Sequence, residues 1–184
     1  RPGMATIEPL NATLGATVRD VSLAALDDAG WAEIHAAFLQ HAVLVFPGQH
    51  LTEDQQRAFG ARFGAFEHIV GTEGLTPITN QRVDGTLLRA EHPIMHILKG
   101  NEGWHTDSSY MPIAAKASML SAHIIPTEGG QTEWADMRAA YDALSPATKE
   151  RIAGLSAYHS LNYSQGRLGY NDAPKGAYGY DVAE

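Results

Sequence analysis

No cysteine occurs among the 184 residues. That excludes disulfides, zinc ribbons, iron–sulfur ligation and thiol nucleophiles. Long apolar runs are missing as well. A run such as AVLVF, residues 42–46, is far too short to cross a bilayer. Nothing near Arg1 has the layout of a signal peptide. Positive charge is scarce: 13 Lys and Arg stand against 21 Asp and Glu, a net charge of −8. An acidic chain without basic runs points away from nucleic acid and anionic membranes as partners. Internal repeats and low-complexity tracts are also absent. What is present is a globular composition, 44% apolar and 18% charged, long enough to bury a core without covalent staples. The expectation is a single cytoplasmic domain over residues 1–184, an enzyme or a binding protein.

Both ends read as internal. The chain opens on Arg1 and closes in NDAPKGAYGYDVAE, residues 171–184, which is polar and Gly-rich. The expectation is one portion of a longer protein, with a flexible loop over residues 168–184.

Helices and strands alternate early, and strands dominate later. Residues 6–10 and 17–23 read as short strands around a turn at Gly15. Asp27 or Asp28 caps a helix that carries Trp31, Ile34 and Phe38 on one face. The β-branched run 42–46, ended by Pro47-Gly48, suits a buried strand. Thr52 and Gln55 form a capping-box pattern for a helix that would bury Phe59 and Phe63. Residues 64–100 read as loops with two strands, 77–83 and 93–98. KASMLSAHIIP, residues 116–126, reads as a strand, and GGQTEWAD, residues 129–136, as a turn leading into another. Asp136 caps a helix through Leu144. Ser145-Pro146 opens the next, which Gly154 ends. Residues 155–161 read as a strand. The pattern is α+β, with a largely antiparallel sheet or barrel.

The stretch NEGWHTDSSY, residues 101–110, holds His105 and Asp107 two positions apart. On a strand, residues i and i+2 share a face, so the imidazole and carboxylate would project side by side. That is two thirds of a two-histidine, one-carboxylate iron(II) site, a set that leaves positions open for substrate and O₂. A His and an Asp on an exposed strand can equally hydrogen-bond each other or water, and the three-residue motif alone does not decide.

The longer context carries more. WHTDSSY (104–110) and MLSAHIIPTEGGQTEWADMRAAYDALSP (119–146) resemble the iron(II)- and 2-oxoglutarate-dependent dioxygenases of the taurine dioxygenase family. LGATVRDVSL (14–23) and HAVLVFPGQHLTEDQQRAFGARFG (41–64) extend the resemblance over nearly the whole chain. It implies a double-stranded β-helix, the jelly-roll barrel, with flanking helices and incomplete at the C-terminus. It implies Fe(II), 2-oxoglutarate and O₂ as cofactor and co-substrates, with His105 and Asp107 as metal ligands. Thr132, after Gly129-Gly130-Gln131, matches the threonine that bonds a 2-oxoglutarate carboxylate; a hydroxyl donor suits that anionic oxygen. Asn101, four residues before His105, matches a substrate contact. His68 matches a substrate histidine, with Ile69 as a competing alignment. Ser164 falls in a segment that lines the site in relatives.

The resemblance places the third ligand, a histidine, and an arginine about ten residues after it, beyond residue 184. It assigns ligation to neither His123 nor His159, and reads His159 as structural or supporting. Trp104 and Tyr110 pack the barrel wall, and Lys99 is solvated. The implied reaction hydroxylates a small, anionic organic substrate with release of succinate and CO₂. Where the hydroxylated carbon bears a heteroatom, the product collapses and that bond breaks. Acids, sulfonates, sulfate esters and aryloxy acids all remain open as substrates. Relatives are often dimers or tetramers. Two other readings stand beside this one. A cupin-like metal enzyme would complete its site with His123 or His159 and use no 2-oxoglutarate. A non-catalytic barrel would only bind a small ligand.

Overall fold

The computed structural model describes residues 4–67, 75–167 and 169. The chain forms two compact units, residues 1–62 with 119–156, and residues 63–118 with 157–184.

The first unit is built on a three-stranded sheet of order β1-β2-β3. Strand β1, Thr6–Pro9, pairs antiparallel with β2, Ala16–Arg19, in the register Ile7 to Val18. The turn between them needs Gly15, whose φ is +94°; a Cβ there would meet Leu10 Cδ1 at 2.7 Å. Strand β2 stops where Asp20 takes a φ of +59°, short of the expected end at Leu23. Helix α1, Asp28–His41, follows, and its cap is Asp27, whose carboxylate accepts from the Gly30 N–H at 2.8 Å. The helix ends at Ala42, with φ +63°, which feeds β3, Leu44–Val45, parallel to β2. Helix α2, Glu53–Ala61, starts with both bonds of the Thr52–Gln55 capping box, at 3.3 and 2.9 Å.

The core of this unit is Ala16, Val18, Leu23, Ile34, Ala37, Leu51 and Phe59. Ile34 and Val18 are completely buried, each contributing roughly 1.5–3 kcal/mol of apolar burial. Trp31 and Phe38 flank Ile34 and are half-buried. The Arg62 guanidinium lies 5.3 Å over the Trp31 ring and 2.8 Å from Asp28 Oδ1. Phe63 falls beyond the end of α2 and is half-buried rather than core. Two later helices belong to the same unit. Helix α3, Met137–Asp142, is capped by Asp136, and α4, Pro146–Ile152, by Ser145 with proline at its first turn, both as expected. Arg138 reaches the carbonyls of Leu39 and Gln40 at 3.3–3.4 Å, at the C-terminal end of α1.

The second unit departs from expectation. Residues 93–98 were expected as a strand, yet Pro93–Gly100 forms a helix, α5. Proline presets φ for a first helical turn, and His92 Nδ1 accepts from the Ile94 N–H at 3.2 Å. These local terms outweigh the β-branched content. Residues 77–83 contribute one isolated bridge, Gln81 to Leu87, across a tight Asp84-Gly85 turn. Residues 157–160 are irregular, and Leu161–Arg167 forms helix α6.

Three other expected strands, 116–126, the one following Gly129-Gly130, and 155–161, are not strands. A strand needs a neighbouring edge for its N–H and C=O groups, and among the described residues no such partner is paired to these segments. Ile124, Ile125 and Leu155 accordingly stand 70–82% exposed. The turn itself is as expected, with φ of +71° and +72° at Gly129 and Gly130. Except for Gly169, the expected flexible segment 168–184 lies outside the described residues.

Candidate functional site

The His105–Asp107 pair lies in the second unit, a few residues past α5. Asn101 caps that helix, its N–H directed at the Ile97 and Leu98 carbonyls at 3.1 Å. The expected strand under the pair is absent. His105 and Thr106 belong to no regular element, and a turn begins at Asp107. The turn is set by Ser108, whose φ is +54°; its carbonyl accepts from the Met111 N–H at 3.0 Å. The side chains nevertheless meet, with His105 Nε2 at 3.0 Å from Asp107 Oδ1.

Each partner has an outer contact. His105 Nδ1 lies 2.7 Å from the Gly103 carbonyl, which can only accept, so Nδ1 carries the hydrogen. In a neutral ring Nε2 is then a bare lone pair, and it faces a carboxylate oxygen. Two acceptors at 3.0 Å repel unless a cation lies with them, either a proton on Nε2 or a metal ion. Donors about 3 Å apart also match adjacent ligands of one ion held at about 2.1 Å from each. On the other side, Ser118 Oγ donates to Asp107 Oδ2 at 2.8 Å. The pair is about half exposed, 51% for the His105 side chain and 56% for Asp107. An imidazole nitrogen and a carboxylate oxygen so arranged fit a divalent transition-metal ion.

Two further hydroxyls tie down the turn after the pair. Ser108 Oγ donates to Glu67 Oε2 at 2.5 Å. Ser109 Oγ and His159 Nδ1 are 2.8 Å apart, which gives His159 a supporting contact. Among the described residues no cluster of three or more His, Asp, Glu or Cys side chains is present. The set that the cupin-like reading requires, the pair plus His123 or His159, is therefore not assembled among them.

The other expected site residues fall on separate segments of the chain. Thr132 belongs to the first unit, exposed in the segment between the Gly129-Gly130 turn and α3. Ser164 lies on α6, its hydroxyl donating to the Leu161 carbonyl at 2.9 Å. His68 lies outside the described residues. Trp104, expected against a barrel wall, is 71% exposed. Gly103, Ser118 and the Glu67–Ser108 bond were not singled out in the sequence. Nothing in residue type or spacing distinguishes Ser118 from any other serine in a loop.

The profile described as "Taurine catabolism dioxygenase TauD, TfdA family" matches residues 6–180. The chain belongs to that family. It is 52% identical over 182 residues to the (S)-phenoxypropionate/alpha-ketoglutarate-dioxygenase of Delftia acidovorans, covering 96% of this chain and 62% of that protein. It is 37% identical over 183 residues to the alpha-ketoglutarate-dependent 2,4-dichlorophenoxyacetate dioxygenase of Cupriavidus pinatubonensis, covering 92% and 64%. The crystal structure of AAD-2 in complex with Mn(II) and N-oxalylglycine superposes with a TM-score of 0.85 at 40% identity, over 92% of this chain and 60% of that one. The chain thus spans under two thirds of the length of these relatives.

Proposed function

We propose that the protein carrying this chain is an iron(II)- and 2-oxoglutarate-dependent dioxygenase that acts on aryloxyalkanoic acids. One structural observation carries the metal reading: His105 Nε2 and Asp107 Oδ1 face each other at 3.0 Å while Gly103 and Ser118 occupy their outer atoms. The substrate class is supported by the 52% identity to a phenoxypropionate dioxygenase. Bound iron(II), with 2-oxoglutarate and O₂, supplies the oxidising power for C–H hydroxylation.

The chain's residues bind and orient. His105 and Asp107 hold the ion, and the imidazole keeps its lone pair outward because Nδ1–H is engaged. The Thr132 hydroxyl donates to a carboxylate of 2-oxoglutarate. Asn101, His68 and Ser164 contact the substrate. Hydroxylation falls on the carbon that bears the ether oxygen. The resulting hemiketal expels a phenol and leaves a 2-oxo acid, while 2-oxoglutarate becomes succinate and CO₂.

The same reading extends to a completed jelly-roll barrel, a homodimer or tetramer, a cytoplasmic location, and no nucleic-acid or membrane partner. The net charge of −8 supports the last. Among the described residues no helix is long and apolar enough to cross a membrane.

The test uses the full-length protein with iron(II), 2-oxoglutarate, O₂ and (S)-2-phenoxypropanoate. Phenol, pyruvate and succinate should form in equal amounts and vanish with His105→Ala. Absence of substrate-dependent succinate across a panel of aryloxyalkanoates would contradict the proposal.

A further inference from the structure

We infer that Ser118 is a positioning residue for the metal centre, holding Asp107 so that it offers one oxygen and not two; this rests on the metal reading above. Asp107 is exposed at the start of its turn, and the side chains of His105 and Ser118 are bonded to its carboxylate. A carboxylate that rotates freely can grip an ion through both oxygens and occupy a further coordination position. Ser118 Oγ donates to Oδ2 at 2.8 Å, and Oδ1 is left directed at His105 Nε2, 3.0 Å away. A hydrogen bond to a carboxylate is charge-assisted, and therefore stronger and more directional than one between neutral groups. With Oδ2 engaged, Asp107 binds through Oδ1 alone, and the positions that co-substrate and O₂ require stay free.

The experiment is a Mn(II) titration of the full-length protein, with free Mn(II) followed by its paramagnetic resonance signal. Wild type, Ser118→Ala, Ser118→Thr and Asp107→Ala are compared, together with metal-free thermal melts of each. Removing a contact behind a metal ligand typically weakens binding 10–100-fold. Ser118→Ala should weaken Mn(II) binding by about that factor with an unchanged metal-free melt. Ser118→Thr, which keeps the hydroxyl, should bind close to wild type. Wild-type affinity in Ser118→Ala would overturn the inference. Equal losses in the Ala and Thr variants, or a loss accompanied by a lowered metal-free melt, would overturn it too. Undiminished binding in Asp107→Ala would instead remove the metal reading itself.

Discussion

Ser108 holds a φ of +54° while its hydroxyl donates to Glu67 Oε2 at 2.5 Å. The left-handed backbone turns the chain directly after Asp107, and the hydroxyl bond secures that turn to a residue 41 positions earlier. A non-glycine residue there carries about 1–2 kcal/mol of backbone strain. A hydrogen bond of about 1 kcal/mol offsets much of it. Ser108→Gly relieves the strain and loses the bond, so stability should change by less than about 1 kcal/mol. Ser108→Val should cost about 1–3 kcal/mol more than Ser108→Gly, because a β-branched side chain resists positive φ. Denaturant melts of the two variants measure the difference, and equal stabilities would contradict this role for the turn.

Thr52 and Gln55 close a reciprocal capping box at the start of α2. Thr52→Ala should destabilise the protein by about 0.5–2 kcal/mol. Thr52→Ser, which keeps the oxygen, should recover most of that loss. Denaturant midpoints at constant m-value provide the check.

Asp136 ionises below its ordinary carboxylate range. Desolvation pushes it up, but is outweighed by the Ala139 N–H, the Thr13 hydroxyl, the Arg138 N–H and the Arg138 guanidinium charge. A carboxylate depressed in the folded state stabilises the fold above its unfolded pKa of about 3.9, and loses that contribution as pH falls through the lower folded value. The stability deficit of Asp136→Asn should therefore be constant above about pH 5 and shrink below about pH 4. Denaturant melts across that range test it. A deficit independent of pH would contradict it.

Ile34 is fully buried on α1. Ile34→Ala should cost about 2–5 kcal/mol. Leu39→Ala, on the same helix but 61% exposed, should cost under about 0.5 kcal/mol. Thermal melts of both variants compare the two.

Helix starts were legible in the sequence because their physics is local. Asp27, Thr52 with Gln55, Asp136, and Ser145 with Pro146 each act within about three residues. The first three strands, at residues 6–9, 16–19 and 44–45, were legible as well; the later ones were not, because a strand depends on what pairs with it. Residues 116–126 have the composition of one and no ladder among the described residues. At residues 93–98 the local signal is Pro93 itself, which with His92 as cap starts a helix through Gly100 despite the β-branched content. The meeting of His105 and Asp107 was foreseen, but a turn at Ser108 produces it and not a pleat. Ser118, 11 residues from Asp107, could be found only in three dimensions.

The most direct measurement uses the full-length protein, loaded with iron(II) without oxygen and then given 2-oxoglutarate. A weak visible metal-to-ligand charge-transfer band should appear with wild type and be lost with His105→Ala. Iron binding without that band, or a band indifferent to His105→Ala, would contradict the assignment of the His105–Asp107 pair as the metal centre of a 2-oxoglutarate-dependent dioxygenase.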